Sequence, residues 1–342
     1  MREIKPNKKG VLAKIFIKLC RLFGFEVVDQ SNFSLPTSNK NLDESLSVPG
    51  IKSITLPLGK IEITRPIRSL DIILRTCTSV NMLTQSKKRM FENDKSEYTK
   101  RTLLSITKSL IKAKEIFKNT NFKIYVIDHN SDKNHIDEMR NILKKSGISH
   151  EILKLELDKF SSQIKKINEE NKEVTPNQKS NMSNIHQSLF ISKENCEDLV
   201  YFVEDDYIHE KNSLLEILFT YEKISTLTKQ ELIVCPTDYP YLYTQSENTK
   251  IFLGESRHWR QIDQTLCTFL TSKKIVEKYW NELTNMCKIE HYPFEKPLHN
   301  IYKKELCISP IPSLAIHFTN INSIYGLSPN VSWERLWKEN EN

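Results

Sequence analysis

The stretch Leu199-Val200-Tyr201-Phe202-Val203-Glu204-Asp205-Asp206-Tyr207 decides the fold of this chain. Its five leading apolar residues include β-branched and aromatic side chains, which predict a strand buried on both faces. A buried strand cannot carry three acidic side chains unless they emerge at its end. The three carboxylates are therefore expected at the carboxyl edge of a sheet, where ligands bind in open α/β folds.

These three acids favour a metal-diphosphate site. Crowded carboxylates repel one another unless a positive charge is shared among them. Oxygen ligands suit Mg²⁺ or Mn²⁺, and Mg²⁺ commonly takes one or two protein carboxylates and completes its shell with substrate phosphates. In an extended backbone Glu204 and Asp206 point to one side and Asp205 to the other. The alternative is a solvated acidic turn at the N-terminus of a helix predicted over 212–225.

The segments before the acidic turn alternate between strands and helices. Apolar strands are predicted over 69–76, 122–127 and 151–157, and helices over 97–118, 134–146 and 181–194. This order is typical of an α/β fold with a doubly wound, mostly parallel, Rossmann-like sheet and helices on both faces. Such a topology brings the polar strand ends to the edge that carries the acidic turn, namely Arg75, Thr76 and Asp128.

A cationic cluster, Arg257-His258-Trp259-Arg260, follows the acidic turn. Arginine forks suit phosphate or carboxylate, and tryptophan offers a flat apolar face of the kind that sugars pack on. The alternative is a surface loop with a structural cation–π contact. Further along the chain, His317 ends a short apolar strand, where a lone histidine is more often a satisfied core residue than a ligand.

The glycine and cysteine content argues against glycine-rich phosphate loops, zinc sites and disulfide frameworks. The chain has seven glycines in 342 residues and contains neither G-x-G-x-x-G nor G-x-x-x-x-G-K. A bound nucleotide must therefore be held by side chains and a metal. The seven cysteines are scattered and never spaced C-x-x-C, which predicts neither a zinc site nor a disulfide framework. This usage indicates a reducing, cytoplasmic setting.

Most of the formal net charge of +7 lies at the N-terminus, because residues 1–25 hold seven basic residues against Glu3. The nearly neutral remainder argues against a nucleic-acid partner. Apolar residues recur at helical spacing over 11–23 and predict a basic amphipathic helix too short to span a bilayer. The helix suits an anionic membrane surface, where each basic residue adds on the order of 1 kcal/mol, at the inner face of the membrane. The alternative is a helix docked on its own domain or on a partner subunit.

The composition predicts four regions. Residues 1–25 form the basic helix, and residues 26–64 are rich in Ser, Asn, Leu and Pro and read as a linker. Residues 65–320 hold the strands and helices of the α/β domain, and residues 321–342 form a short C-terminal tail.

Taken in order, four motifs resemble the nucleotide-sugar glycosyltransferases of the GT-A class, and most closely the family-2-like bacterial enzymes. The resemblance covers about residues 66–320. The motifs are Ile72-Ile73-Leu74-Arg75-Thr76, Tyr125-Val126-Ile127-Asp128-His129-Asn130-Ser131-Asp132, Val203-Glu204-Asp205-Asp206 and Pro312-Ser313-Leu314-Ala315-Ile316-His317. Two departures stand out, since Glu-Asp-Asp replaces a strict Asp-x-Asp and His129-Asn130 replaces an acidic-Gly pair.

The resemblance implies a role for each matching position. The backbone around Thr76 and the Asp128 carboxylate correspond to contacts with the base and ribose of the nucleotide, and Arg75 belongs to the same predicted cofactor-binding set. Asp206, helped by Glu204, corresponds to the ligand of Mn²⁺ or Mg²⁺ at the diphosphate, and His317 to the late metal or phosphate ligand. Asp205 corresponds to a contact with the ribose or donor sugar. Arg257, His258 and Arg260 correspond to contacts with the donor phosphates or the acceptor.

An inverting transfer also needs a carboxylate near the acceptor hydroxyl to act as the general base. Glu295 is the first candidate for this base, with Glu290 and Asp263 as the alternatives. Together with Asp206 and Arg260, Glu295 completes the predicted catalytic set.

The predicted function is a metal-dependent glycosyltransferase that moves a sugar from a nucleotide sugar to a glycan or lipid-linked acceptor in cell-surface polysaccharide or lipopolysaccharide synthesis. Two alternatives are weighed against it. A sugar nucleotidyltransferase also pairs acids beside a diphosphate, but it commonly brings a Gly-rich phosphate loop that this chain lacks. A non-catalytic scaffolding protein would keep the nucleotide-sugar fold and dock a partner through the basic helix.

Overall fold

The computed structural model describes residues 10–25, 27, 53–56, 59–79, 91, 93–244, 249–318 and 324–341. The chain divides into two compact units, residues 1–63 and 64–342. Most of the predicted linker and the four basic residues of segment 1–9 lie outside the described residues.

The smaller unit contains helix α1, Val11–Leu22, and an antiparallel hairpin of β1, Ser53–Leu56, and β2, Gly59–Glu62. The predicted N-terminal helix is therefore present. Six of its apolar side chains are between 52% and 83% exposed, namely Val11, Leu12, Ile15, Phe16, Leu19 and Leu22. Across the described residues, the structure contains no helix with both the length and the apolar character needed to cross a bilayer.

The larger unit carries the remaining strands and helices. In chain order they are β3 Ser69–Thr76, α2 Lys95–Ile116, β4 Asn121–Asp128, α3 Lys133–Ser146, β5 Ser149–Lys154, α4 Leu157–Ser161, α5 Pro176–Glu194, β6 Leu199–Glu204, β7 Tyr207–His209, α6 Ser213–Thr228, β8 Leu232–Val234, β9 Ile251–Leu253, β10 His258–Gln261, β11 Phe269–Ser272, α7 Lys273–Lys278, α8 Trp280–Met286, α9 Lys296–Tyr302, β12 Leu306–Ile311, β13 Ala315–His317 and α10 Trp333–Glu339.

Nine strands form one mixed sheet in the order β5, β4, β3, β6, β11, β8, β12, β10, β9. Strands β10 and β11 run against the other seven, which share one direction. The predicted α/β class with a mostly parallel sheet is thus confirmed. The chain builds outward from β3 through β4 to β5 and then returns to place β6 on the other side of β3. The order of strands therefore reverses between β3 and β6, where α/β sheets bind ligands.

The sheet is covered on both faces. All eight residues of β3 are buried, including the side chains that alternate between the two faces. Helix α2 packs against α3 and α6, whereas α5 packs against α4, α7 and α8. These two groups of helices supply the burial that a mostly parallel sheet requires. Helices α7 and α8 follow each other directly and are separated at Tyr279.

A two-stranded ribbon of β7 and β13 lies directly beyond the acidic turn. Behind it, Ile316 and Phe318 belong to an apolar cluster with Tyr98 of α2 and Trp337 of α10. The Trp337 ring lies 4.9 Å from the Tyr98 ring and 5.5 Å from the Phe318 ring. Helix α10 therefore packs on the same core that holds the ribbon, and burying several aromatic rings together stabilises that ribbon.

Candidate functional site

The carboxyl ends of β3, β4 and β6 lie side by side at the reversal point of the sheet. Arg75 of β3 is in register with Glu204 of β6, and Thr76 is in register with Asp128 of β4. The polar residues that end three sequence-distant strands thus share one edge. Because parallel strands end at the same edge, this placement follows directly from the topology.

Each acid of the turn faces a basic side chain. Arg75 Nη2 lies 3.0 Å from Glu204 Oε1, and Lys95 Nζ lies 3.1 Å from Asp205 Oδ1. His317 Nε2 lies 3.4 Å from Asp206 Oδ2. These contacts relieve the repulsion that three adjacent carboxylates would otherwise produce.

Asp205 also accepts hydrogen bonds from two other segments of the chain. Its Oδ2 accepts hydrogen bonds from the Thr99 hydroxyl at 3.0 Å and from the Cys77 backbone amide at 3.2 Å. Burial lowers the pKa of Lys95, but the charges of Asp205 and Asp206 outweigh burial and raise that pKa above its ordinary value. Asp205 therefore ties the end of β3 and the first turn of α2 to the acidic turn.

His317 is fixed in orientation. Its ring stacks on Tyr207 with ring centroids 4.6 Å apart, and Nδ1 lies 2.9 Å from the Tyr325 carbonyl oxygen. Because a carbonyl oxygen accepts but does not donate, Nδ1 carries the hydrogen and Nε2 is left facing Asp206. Burial lowers the pKa of His317, but the neighbouring Asp206 carboxylate reverses this effect and raises it overall.

The side chains predicted to hold a divalent cation fit it in part. Asp206 Oδ2 and His317 Nε2 lie 3.4 Å apart, and one carboxylate with one imidazole suits Mn²⁺ when phosphates complete the shell. The third predicted ligand, Glu204, is engaged by Arg75 and by the Thr268 hydroxyl at 3.4 Å. Within the described ranges, no group of three or more His, Cys, Asp or Glu side chains is arranged to hold a metal ion.

Glu295, at the N-cap of α9, is brought into the electrostatic reach of this edge. Burial raises its pKa to about 7, the charge of Glu204 adds to the rise, and His317 opposes it. The thiol of Cys267 lies 3.9 Å from Glu295 Oε1. A carboxyl group with a pKa near 7 can exchange a proton readily at neutral pH.

Asp128 shapes the loop at the end of β4. Its Oδ1 accepts hydrogen bonds from the Thr76 hydroxyl at 2.7 Å and from the Ser131 hydroxyl at 2.5 Å. The Ser131 amide donates to Oδ2 at 3.1 Å. Asp128 thereby fixes the ends of β3 and β4 relative to each other beside the acidic turn.

The predicted cationic cluster lies elsewhere on the sheet. Strand β10, which carries His258 and Arg260, is four positions from β6 in the strand order. Arg257 Nη1 donates to the carbonyl oxygens of Pro312 and Ser313, and Nη2 pairs with Glu210. Arg260 pairs with Asp238, and His258 is exposed. In the structure Arg257 holds the end of β12 in place.

The two alternative bases are placed apart from the acidic turn. Glu290 accepts a hydrogen bond from the Asn168 side chain at 3.0 Å and so joins two surface loops. Asp263 is exposed, and its charge acts on His299. Of the three candidates, Glu295 is the one whose charge couples to Glu204 and His317.

Lys95 also lies at this candidate site, and no local sequence pattern predicts it there. It stands at the first position of α2, and a helix N-terminus alone gives no reason to expect a buried lysine. Its partner Asp205 is distant in the sequence, and only the tertiary fold brings the two side chains to 3.1 Å.

The substitution Lys95→Met is expected to lower the free energy of unfolding by about 3 kcal/mol, because it leaves the largely buried Asp205 carboxylate without its cation. Urea denaturation at pH 7 measures the loss. The matched control is Lys100→Met in the same helix, where the lysine pairs with Glu97 and both side chains are at least 20% exposed. Lys100→Met is expected to lower the free energy of unfolding by less than about 1 kcal/mol. Adding Asp205→Asn to Lys95→Met should recover part of the stability, and no recovery would contradict the pairing.

No protein-family model and no curated protein sequence matches this chain. Among solved structures, the chain is similar to galactosyltransferase LgtC in complex with donor and acceptor sugar analogs, with a TM-score of 0.37 and 10% identity over 79% of this chain and 100% of that chain. It is similar to UDP-glucose pyrophosphorylase complexed with UDP-glucose, with a TM-score of 0.38 and 8% identity over 76% of this chain and 96% of that chain.

The chain is also similar to the bifunctional glycosyltransferase WbbM, with a TM-score of 0.35 and 10% identity over 66% of this chain. It spans 35% of the WbbM chain and 64% of an active-site mutant of LgtC. The matched structures include glycosyltransferases, the class that the sequence motifs resemble.

Proposed function

We propose that this protein is a glycosyltransferase that uses a nucleotide-sugar donor. The observation that carries the proposal is a pair of carboxyl groups in different environments, Asp206 just after β6 and Glu295, whose charge couples to Glu204 and His317. Asp206 is paired with His317 at 3.4 Å, whereas Glu295 is held with a pKa of about 7. Asp206 suits the diphosphate side of a transfer reaction, and Glu295 suits the acceptor side.

On the donor side, the proposal assigns the nucleotide to the edge formed by Thr76, Asp128 and Asp205. Asp206 and His317 would hold Mn²⁺ or Mg²⁺ beside the diphosphate. When bound, such a cation supplies positive charge to the phosphate oxygens of the leaving group. Arg75 and Lys95 add fixed positive charge at the same edge, 3.0 Å and 3.1 Å from their carboxylate partners.

On the acceptor side, Glu295 takes the proton of the attacking hydroxyl group. The new bond forms between that oxygen and the anomeric carbon, while the bond from the anomeric carbon to the diphosphate breaks. The nucleoside diphosphate leaves with the electron pair of the broken bond. Glu295 can accept the proton near neutral pH because burial raises its pKa to about 7.

The test is a thermal-shift panel of nucleoside diphosphates and nucleotide sugars, each with and without Mn²⁺. A ligand at 100 times its dissociation constant adds about 2.7 kcal/mol to the free energy of unfolding, which a shift in Tm reveals. We expect one nucleotide family to stabilise the protein, and its nucleotide sugar to be hydrolysed slowly in water. Stabilisation by nucleoside triphosphates and sugar phosphates, with release of diphosphate, would instead support a nucleotidyltransferase. No stabilisation by any nucleotide would overturn the proposal.

We also propose that α1 binds an anionic membrane surface, since six of its large apolar side chains are exposed and Lys14, Lys18 and Arg21 lie between them in the sequence. The full chain is expected to cosediment with vesicles that contain phosphatidylglycerol and not with pure phosphatidylcholine. Replacing all three basic residues by Glu should abolish cosedimentation. Equal binding to both kinds of vesicle would contradict the electrostatic part of the proposal.

A further inference from the structure

The segment that carries Glu295 is held from outside by a second loop. Residues 287–295, between α8 and α9, form the base loop, and residues 162–175, between α4 and α5, form the connecting loop. The two loops are distant in the sequence but adjacent in space, because the Lys165 amide donates to the Lys288 carbonyl oxygen at 2.8 Å. The connecting loop therefore lies against the start of the base loop.

The connecting loop is closed into a tight hairpin by its own hydrogen bonds. The Asn168 amide donates to the Lys172 carbonyl oxygen at 2.9 Å, and the Val174 amide donates to the Lys166 carbonyl oxygen at 2.9 Å. The side-chain oxygen of Asn168, which is buried, also accepts the Lys172 amide at 2.9 Å. These bonds fix the turn of the hairpin, which presents Glu169 to the base loop from a defined position.

The Glu169 carboxylate contacts the chain on both sides of Glu295. Its Oε1 accepts a hydrogen bond from His291 Nδ1 at 2.7 Å, and its Oε2 accepts one from the Tyr292 amide at 3.3 Å. Lys296 Nζ lies 3.1 Å from both carboxylate oxygens. The first two partners precede Glu295 in the chain, and Lys296 directly follows it. One carboxylate thus spans the segment whose middle carries the candidate base.

The bond from His291 is the main part of this attachment. The Asn285 side-chain amide donates to His291 Nε2 at 3.2 Å, so Nδ1 carries the hydrogen and donates it to Glu169. His291 is buried, whereas Lys296 is 50% exposed and its ion pair adds little. The hydrogen bonds from His291 and Lys296 lower the pKa of Glu169 to about 2, so Glu169 is a carboxylate near neutral pH.

We propose that Glu169 is a positioning residue, which holds the base loop so that Glu295 stays where it can take the proton of the attacking hydroxyl group. A general base acts only within hydrogen-bond reach of that proton, and misplacement by about 1 Å can slow a reaction by about a hundredfold. Glu169 acts through its contacts around Glu295. This inference rests on the proposed glycosyltransferase function and adds a residue to its acceptor side.

The kinetic test uses the full chain and the nucleotide sugar found by the thermal-shift panel, with water as the acceptor. Glu169→Ala is expected to lower kcat for hydrolysis on the order of tenfold, because the base loop is no longer held. The donor KM and the donor-induced shift in Tm should stay at their wild-type values, since Glu169 is assigned to the acceptor side. Glu169→Gln keeps an oxygen that accepts the His291 hydrogen, and this variant should retain most of kcat.

A second measurement needs no nucleotide. In protein with isotope-labelled glutamate, the carboxyl signal of Glu295 is assigned by its absence from the NMR spectrum of Glu295→Gln. Burial raises the pKa of Glu295 to about 7 in the wild type. Glu169→Ala should lower this pKa toward the ordinary carboxyl range, because a base loop that is not held exposes Glu295 to water.

The matched control is Glu170→Ala, because Glu170 is the next acid in the connecting loop and pairs with Lys172 at 2.7 Å within that loop. This variant should keep the wild-type kcat and the wild-type titration of Glu295. The proposal is overturned if folded Glu169→Ala keeps both quantities, or if it weakens donor binding as much as it lowers kcat. Failure of the glycosyltransferase proposal appears separately, as the absence of any nucleotide-induced shift in Tm in the wild type.

Discussion

Asp206→Asn is expected to slow sugar transfer by about a thousandfold, which corresponds to about 4 kcal/mol of transition-state stabilisation. Asp206 faces His317 at 3.4 Å at the carboxyl end of β6, where the proposal assigns the donor diphosphate. The amide keeps the shape of the side chain but removes the charge needed to hold a cation beside that diphosphate. The same substitution should abolish the Mn²⁺-dependent part of the nucleotide-induced shift in Tm.

Transfer rates and thermal shifts of the variant are measured with the donor found for the wild type. The matched control is Asp158→Asn, because Asp158 is an exposed residue in the first turn of α4. That control should retain the wild-type rate and thermal shift. Circular dichroism and urea denaturation show whether Asp206→Asn leaves the fold intact. A folded Asp206→Asn protein with the full wild-type rate would contradict the proposal that Asp206 holds a cation beside the donor diphosphate.

Glu295→Gln is expected to lower the transfer rate by about a thousandfold, within the range that a general base contributes. The donor-induced shift in Tm should persist, since Glu295 is assigned to the acceptor side. Donor binding without turnover in this variant would show that Glu295 is needed for transfer but not for donor binding, in contrast to Asp206. The control is Glu290→Gln, which replaces the alternative base that is hydrogen-bonded to Asn168 and is expected to leave the rate nearly unchanged.

The pH dependence of the transfer rate follows from the pKa of Glu295. Burial raises the pKa of Glu295 to about 7, so its carboxyl group is protonated below that pH and cannot take a proton from the acceptor. The wild-type rate should rise with pH and level off above about 7. The residual rate of Glu295→Gln should not show this rise. A pH profile that is unchanged in the variant would count against Glu295 as the base.

Stability has the opposite dependence on pH at this residue. Because the folded protein holds the Glu295 proton more tightly than the unfolded chain does, the stability linked to that proton falls as pH rises from the ordinary carboxyl range through about 7. Glutamine stays neutral over this range. Glu295→Gln is therefore expected to be at least as stable as the wild type at pH 8, and a loss of activity at that pH cannot then be attributed to unfolding.

The sequence by itself determined the elements and the edge at which the site lies. The run Leu199–Val203 is continuously apolar, so it forms a buried strand wherever it is placed, and the acids after it must emerge at the strand end. The same reasoning placed Arg75, Thr76 and Asp128 at the ends of their strands. These patterns could be predicted because burial of a strand depends on residues that are adjacent along the chain.

Only the tertiary structure decided which side chains meet. Asp205 and Thr99 are 106 positions apart, and the contacts of Asp206 with His317 and of Asp205 with Lys95 join segments that no local pattern connects. Arg257 and Arg260 also show that a local pattern does not determine the partner. Their sequence context suits phosphate, but in the structure Arg257 donates to the Pro312 carbonyl oxygen and Arg260 pairs with Asp238. A charged side chain binds whichever partner the packing of the sheet brings within reach, and that packing is set by strand order, which neighbouring residues do not specify.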